Sequence, residues 1–223
     1  MNNITQLISI IIPVFNEGES IGYLLDEVLN VMQNNKLNCE LIVVNDGSND
    51  NTSTVLDELT IKIKELSVIS LRKNYGQTAA MAAGFDNSKG EIVITLDGDL
   101  QNDPNDIPKL ISHINEGYDL ICGWRYERKD KLISRRIPSK IANKLIANVT
   151  GLKLHDYGCS LKAFKKEIVD DIKLYGELHR FLPVLANIEG AKIKEIKVNH
   201  RSRKYGSSTV SYTHLRAHET SQN

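Results

Sequence analysis

Charge of one sign is the first thing this sequence lacks. Lys plus Arg and Asp plus Glu both total 28 in 223 residues, so the whole chain carries no electrostatic signal for nucleic acid. Cysteine is scarce: Cys39, Cys122 and Cys159 form an odd set without metal-like spacing, which points to reduced thiols in a cytosolic chain. Long apolar runs are missing too, and no stretch reaches the roughly 18 residues that a membrane span requires. Met1–Thr5 has no basic n-region, and Leu7–Ile12 runs straight into Pro13, Asn16 and Glu17, so the start reads as a strand and not a signal peptide. A Gly-rich, Lys-containing phosphate loop near the first strand is also missing, which weakens a nucleotidyltransferase reading. What is present, 41% hydrophobic and 25% charged residues, is the ordinary globular range at a length that suits one α/β domain.

The balanced charge is unevenly placed. Trp124–Lys144 holds eight basic and two acidic residues, whereas Asp97–Asp106 holds four acids and no base. A basic belt beside an acidic cluster suits a phosphate-rich ligand held partly by metal and partly by Arg and Lys.

Periodicity predicts alternating elements through the first half. Strands are expected at Leu7–Ile12, Glu40–Asn45, Val68–Leu71, Glu91–Leu96 and Tyr118–Cys122, and helices at Gly18–Asn34, Asn51–Lys64, Tyr75–Asn87 and Pro104–Asn115. Repeated β-α-β-α order argues for an α/β fold with a mainly parallel, Rossmann-like sheet flanked by helices. The second half is less regular: an amphipathic helix at Lys131–Val149, a strand near Ser160–Phe164, a short helix at Leu178–Asn187 and a strand at Lys192–Val198. The basic face and apolar stripe of Lys131–Val149 fit either a membrane interface or packing on the domain itself. With no repeat and no clear linker, residues 1–208 read as one domain. From Thr209 to Asn223 core periodicity stops, and the tail is expected to be a foreign or vector-derived end.

Ligands of open α/β sheets sit at the carboxyl ends of strands. Three polar clusters are expected there: Pro13–Glu17, Asn45–Ser48 and Asp97–Gln101. Any one alone reads as a capped turn. Asp97 and Asp99, two apart, present both carboxylates to one side of an extended chain, and such a pair is costly unless a cation neutralises it. Hard oxygen donors suit Mg²⁺ or Mn²⁺, which as a Lewis acid stabilises a nucleoside-diphosphate leaving group.

These clusters, with Pro104, resemble the signature series of family 2 glycosyltransferases of the GT-A fold. The resemblance runs from about Ser9 to Ser208 and is closest to polyprenyl-phosphate hexosyltransferases of the dolichyl-phosphate mannose synthase and undecaprenyl-phosphate sugar transferase type. It takes in Arg72–Gln77, Asp156–Cys159, Glu177–Phe181 and His200–Gly206. It implies an inverting enzyme that moves a hexose from a UDP- or GDP-sugar to a polyprenyl phosphate, at the cytoplasmic face of the cell membrane. By the same resemblance Pro13, Phe15, Glu17, Asp46 and Asp97 line the donor nucleotide pocket, with Asp46 on the base or ribose. Asp97, Asp99 and Gln101 surround the metal, Asp97 directly or through water.

Asp156 matches a position assigned as catalytic base, with Asp99 the second catalytic carboxylate. An ionised lipid phosphate leaves a base little proton to remove, since its second pKa is about 6, so Asp156 reads equally as an orienting group. Arg125, Arg128, Arg201 and Arg203 are candidate phosphate clamps, because their planar forks match phosphate oxygens. His179 and Arg180 fall in an acceptor-side block, and Lys204-Tyr205-Gly206 reads as a closing loop. Two alternatives stand beside this reading: transfer to a saccharide or polymer hydroxyl, and a non-catalytic nucleotide-sugar binding module. The sequence is compatible with a homo-oligomer but does not specify one.

Overall fold

The computed structural model describes residues 6–126, 151–172, 174, 176 and 178–205. Arg128, the expected helix at Lys131–Val149 and the tail from Thr209 lie outside the described residues.

A seven-stranded sheet forms the middle layer. Its strands are β1 (Leu7–Val14), β2 (Asn38–Asn45), β3 (Leu66–Ser70), β4 (Ile92–Thr95), β5 (Leu120–Arg125), β6 (Lys162–Lys165) and β7 (Ile193–Val198). Their spatial order is β3-β2-β1-β4-β6-β5-β7. The pairs β1/β2, β1/β4, β2/β3 and β5/β7 are parallel, while β6 runs antiparallel between β4 and β5. The sheet is therefore mainly parallel, as the alternating pattern predicts, with one reversed strand that the pattern does not reveal.

Helices cover both faces. On one face α1 (Ile21–Asn34), α2 (Thr52–Lys62) and α4 (Ile107–Asn115) pack over Ile8, Ile10 and Ile12. On the other, α3 (Gln77–Asn87), α5 (Lys166–Asp171) and α6 (Leu182–Ile188) pack over Ile11, Val93 and Phe164. This explains the unbroken apolar runs: successive side chains of a strand point to opposite faces, and here both faces are core. Ile10, Ile11 and Ile12 are fully buried, each contributing about 1.5–3 kcal/mol of transfer free energy. Gly84 lets α3 approach the sheet, since a Cβ there would lie 2.4 Å from Ile11 Cγ2.

Several boundaries differ from the expected ones for local reasons. Pro104–Asp106 is a 3-10 turn ahead of α4, opened by Asp103, whose carboxylate accepts from the Asn105 amide at 3.1 Å. Leu178–Asn187 divides into a 3-10 turn, Leu178–Phe181, and α6, with Pro183 in the first turn of the helix. The six-residue α5 is too short to show a helical period and was not expected. The three cysteines are free and buried, and burial pushes their thiols up, to about 11 for Cys39 and Cys159 and about 12 for Cys122. Among the described residues no helix is long and apolar enough to cross a membrane.

Candidate active site

The loops after β1, β2 and β4 leave the same edge of the sheet, because those strands are parallel neighbours. The reversed direction of β6 brings its preceding loop, Asp156–Leu161, to that edge, and β7 delivers His200–Tyr205 there.

The first two loops clamp each other. The Asn16 amide donates to Ser48 Oγ at 2.9 Å, and the Asn49 amide donates to Asn16 Oδ1 at 2.8 Å. The Glu17 amide donates to Thr52 Oγ1 at 3.0 Å, and Asp50, just ahead of α2, accepts from the Thr52 amide at 2.9 Å in an Asx-type turn. Pro13 and Phe15 are half-buried at the end of β1. Asp46 is buried, and its two carboxylate oxygens accept from the amides of Tyr75 at 2.7 Å and Gly76 at 2.9 Å. It thus fixes the loop between β3 and α3. Gly47 turns beneath that loop at φ 65°, where a Cβ would lie 2.3 Å from the Lys73 carbonyl carbon.

Three carboxylates meet beside this frame. Glu17 is raised above the ordinary range by burial, with Asp99 and Asp97 adding to the rise and Ser20 and Arg203 opposing it. Asp97 is raised as well, first by burial and then by Asp99, against the pull of Ser160, Arg125 and Lys162. Gln77 Nε2 donates to Asp97 Oδ1 at 2.8 Å, and the Asp97 amide donates to Asn102 Oδ1 at 3.2 Å. Asp99 Oδ1 accepts from the Gln101 amide at 3.1 Å across a turn in which Leu100 holds φ 61°, a conformation that costs a non-glycine residue about 1–3 kcal/mol. The side-chain amide of Gln101 donates to the Arg201 carbonyl at 3.3 Å. Among the described residues no group of three or more His, Cys, Asp or Glu is arranged so that it could hold a metal ion by itself. Two mutually repelling carboxylates with hard oxygens fit a divalent cation that completes its shell from a ligand.

Of the arginines named from sequence, Arg125, Arg201 and Arg203 are engaged with acids. Arg203 Nη2 donates to Asp99 Oδ2 at 2.8 Å, and its Nη1 lies 3.5 Å from Glu17 Oε1. Arg201 places one nitrogen 2.5 Å from Glu27 and the other 2.7 Å from Asp103. Arg125 forms a fork-to-fork pair with Asp156, at 2.7 Å to Oδ2 and 2.9 Å to Oδ1. Burial works against the Arg125 charge, and the Asp156 pairing more than offsets it, leaving the guanidinium above its ordinary range. The Asp156 amide is held in turn by Glu195 at 2.8 Å.

On the far side His179 Nδ1 lies 2.7 Å from Thr78 Oγ1, and burial, then Arg180 and Lys162, pushes its pKa down to about 4. Arg180 is exposed. Sequence reasoning gave no site role to Gln77, which it had only as part of the Arg72–Gln77 block, and missed Asn102, Ser160 and Lys162. Lys162 had a signal, a cation set between the apolar Leu161 and Ala163, and its buried ammonium donates to the carbonyls of Tyr157 and Cys159.

The Glycosyl transferase family 2 model matches residues 9–173. Dodecaprenyl-phosphate galacturonate synthase of Rhizobium johnstonii is 44% identical over 207 residues, covering 90% of this chain and 61% of its own length. Undecaprenyl-phosphate 4-deoxy-4-formamido-L-arabinose transferase of Proteus mirabilis is 40% identical over 209 residues, covering 93% of this chain and 64% of its own length. The chain therefore spans less than two thirds of either relative. Among solved structures, glucosyl-3-phosphoglycerate synthase from Mycobacterium tuberculosis, in complex with Mn²⁺ and UDP-glucose, superposes with a TM-score of 0.67 at 18% identity, over 92% of this chain and 73% of that one. Mannosyl-3-phosphoglycerate synthase from Rubrobacter xylanophilus gives 0.72 at 15% identity, over 90% and 68%. These two likenesses establish the GT-A fold.

Proposed function

We propose, because this chain belongs to glycosyl transferase family 2, that it moves a sugar from a nucleotide-diphosphate donor to a polyprenyl phosphate, with inversion at the sugar carbon. One observation carries the reading: Glu17, Asp97 and Asp99 gather with Arg203 at the carboxyl edge of the sheet, where open α/β sheets bind ligands. The acceptor follows from the two relatives, both of which are polyprenyl-phosphate sugar transferases.

Asp97 and Asp99 would hold a divalent cation, Mg²⁺ or Mn²⁺. Bound there, such an ion supplies Lewis-acid stabilisation of the departing diphosphate. Glu17 and the loop fixed by Asp46 border the donor nucleotide, with Pro13 and Phe15 behind them. Asp156 orients rather than deprotonates, since both of its oxygens are directed at Arg125. That arrangement favours an acceptor that arrives already ionised, as a phosphate monoester does above its second pKa of about 6. A water-soluble donor and a lipid acceptor meet at a membrane surface, so we place the reaction at the cytoplasmic face of the cell membrane.

The test is a screen of UDP- and GDP-sugars with Mn²⁺ or Mg²⁺, with and without a short polyprenyl phosphate, reading released nucleoside diphosphate and the glycolipid. Release that requires both metal and polyprenyl phosphate is expected. Transfer to an oligosaccharide with none to the lipid would overturn the acceptor.

A further inference from the structure

Asp99 and Glu17 already hold a cation, and it comes from the chain itself. The Arg203 guanidinium spans them, 2.8 Å from Asp99 Oδ2 and 3.5 Å from Glu17 Oε1. We propose that Arg203 and the divalent cation compete for the Asp99 carboxylate. The donor's diphosphate relieves the competition by offering the guanidinium another anionic partner, so that metal and donor bind cooperatively. This deepens the donor chemistry proposed above and does not depend on the acceptor.

Both Asp99 oxygens are engaged, Oδ1 by the Gln101 amide and Oδ2 by Arg203. A divalent ion on Asp99 therefore has to share or take the oxygen that the guanidinium holds, and two cations on one carboxylate repel each other. Arg203 is only 24% exposed on its side chain, so giving up its short contact with Asp99 costs a partly desolvated guanidinium its nearest anionic partner at the site. Phosphate oxygens accept the same planar fork that a carboxylate does, so a diphosphate is a suitable second partner.

The backbone around Arg203 is held on both sides. The Arg201 amide donates to the Gln101 carbonyl at 2.9 Å, its guanidinium sits on Glu27 and Asp103, and Tyr205 stacks on Tyr23 with ring centroids 5.8 Å apart. The exchange of partners is then a side-chain movement within a fixed segment. Because coupling between two ligands is reciprocal, the metal should tighten the donor as much as the donor tightens the metal.

The test reads Mn²⁺ binding by electron paramagnetic resonance, separately from turnover, for the wild type and Arg203→Gln, with and without UDP or GDP. Without nucleotide, Arg203→Gln should bind Mn²⁺ about 5- to 150-fold more tightly than the wild type. Nucleotide should tighten Mn²⁺ strongly in the wild type and much less in the variant. Equal or weaker Mn²⁺ binding by Arg203→Gln without nucleotide overturns the proposal. Should that variant not fold, Arg203→Met decides: it removes the charge and keeps an unbranched stem, so tighter Mn²⁺ than the wild type supports competition and equal affinity refutes it. Intact Mn²⁺–nucleotide coupling with no lipid glycosylation would remove the acceptor reading alone. Lipid glycosylation without that coupling would remove this inference alone.

Discussion

Asp156→Asn tests what the most buried ion pair of the site is for. The Arg125 and Asp156 side chains are 15% and 9% exposed, and they meet through two parallel hydrogen bonds. Removing one partner of a buried pair costs about 3–5 kcal/mol, because the other charge is left desolvated. Asn keeps one oxygen for the fork, and Asp97 is close enough to act on the Arg125 charge, so about 3 kcal/mol is expected. For a chain of this size that is a fall of roughly 6–12 °C in Tm. Adding Arg125→Met should recover part of the loss, so the double variant should be less damaged than the two single losses summed. If the acceptor is a lipid phosphate, turnover of Asp156→Asn should fall by less than about a hundredfold, with a shallow pH profile above about pH 6. Calorimetry and initial rates on the three variants decide the matter. An unchanged melting temperature, with a loss beyond about a thousandfold and a profile governed by one carboxylate, would refute the reasoning and restore Asp156 as a true base.

Asp46→Ala removes the charged acceptor of the part-buried Tyr75 and Gly76 amides, at about 1.5–3 kcal/mol, and should lower the urea midpoint and weaken donor binding together. Donor binding lost at an unchanged midpoint would instead assign Asp46 to the nucleotide. His179 contributes to acid sensitivity: its pKa is about 4 in the fold against 6.5 for the free side chain, so the unfolded chain binds the extra proton and stability is lost as pH falls from about 6.5 to about 4. His179→Gln should flatten that part of the stability–pH curve, read by chemical denaturation at several pH values; an unchanged slope would mean that the imidazole is not held neutral.

How far the sequence could be read depended on where each signal lay. The runs Leu7–Ile12 and Glu40–Asn45 announce strands buried on both faces, and the polar residues that follow them mark the edge where ligands bind. Asp97 and Asp99 were legible for the same reason, being polar residues immediately after an apolar strand. Pairings between distant elements left no local trace. Arg125 and Asp156 are 31 residues apart and Arg203 and Asp99 are 104 apart, so their side chains read from sequence as independent clamps, bases and ligands. The strand near Ser160–Phe164 was legible but its reversed direction was not, because four residues carry no direction, yet that direction is what brings Asp156 to the site edge.

That hidden pairing changes how three of the candidate phosphate clamps work. Composition suggested arginines waiting for phosphate, but Arg125, Arg201 and Arg203 each sit on carboxylates of the chain. An incoming anion must therefore replace an internal partner, and the displaced carboxylate needs a cation of its own. A bare monophosphate meets only half of that requirement at Arg203, because Asp99 and Glu17 would be left facing each other and Asp97. A diphosphate arriving with a divalent ion meets both halves, the phosphate taking the guanidinium while the ion takes the carboxylate. On the exchange proposed for Arg203, selectivity for a metal-loaded nucleoside diphosphate over simple phosphates would follow before any contact with base or sugar is counted.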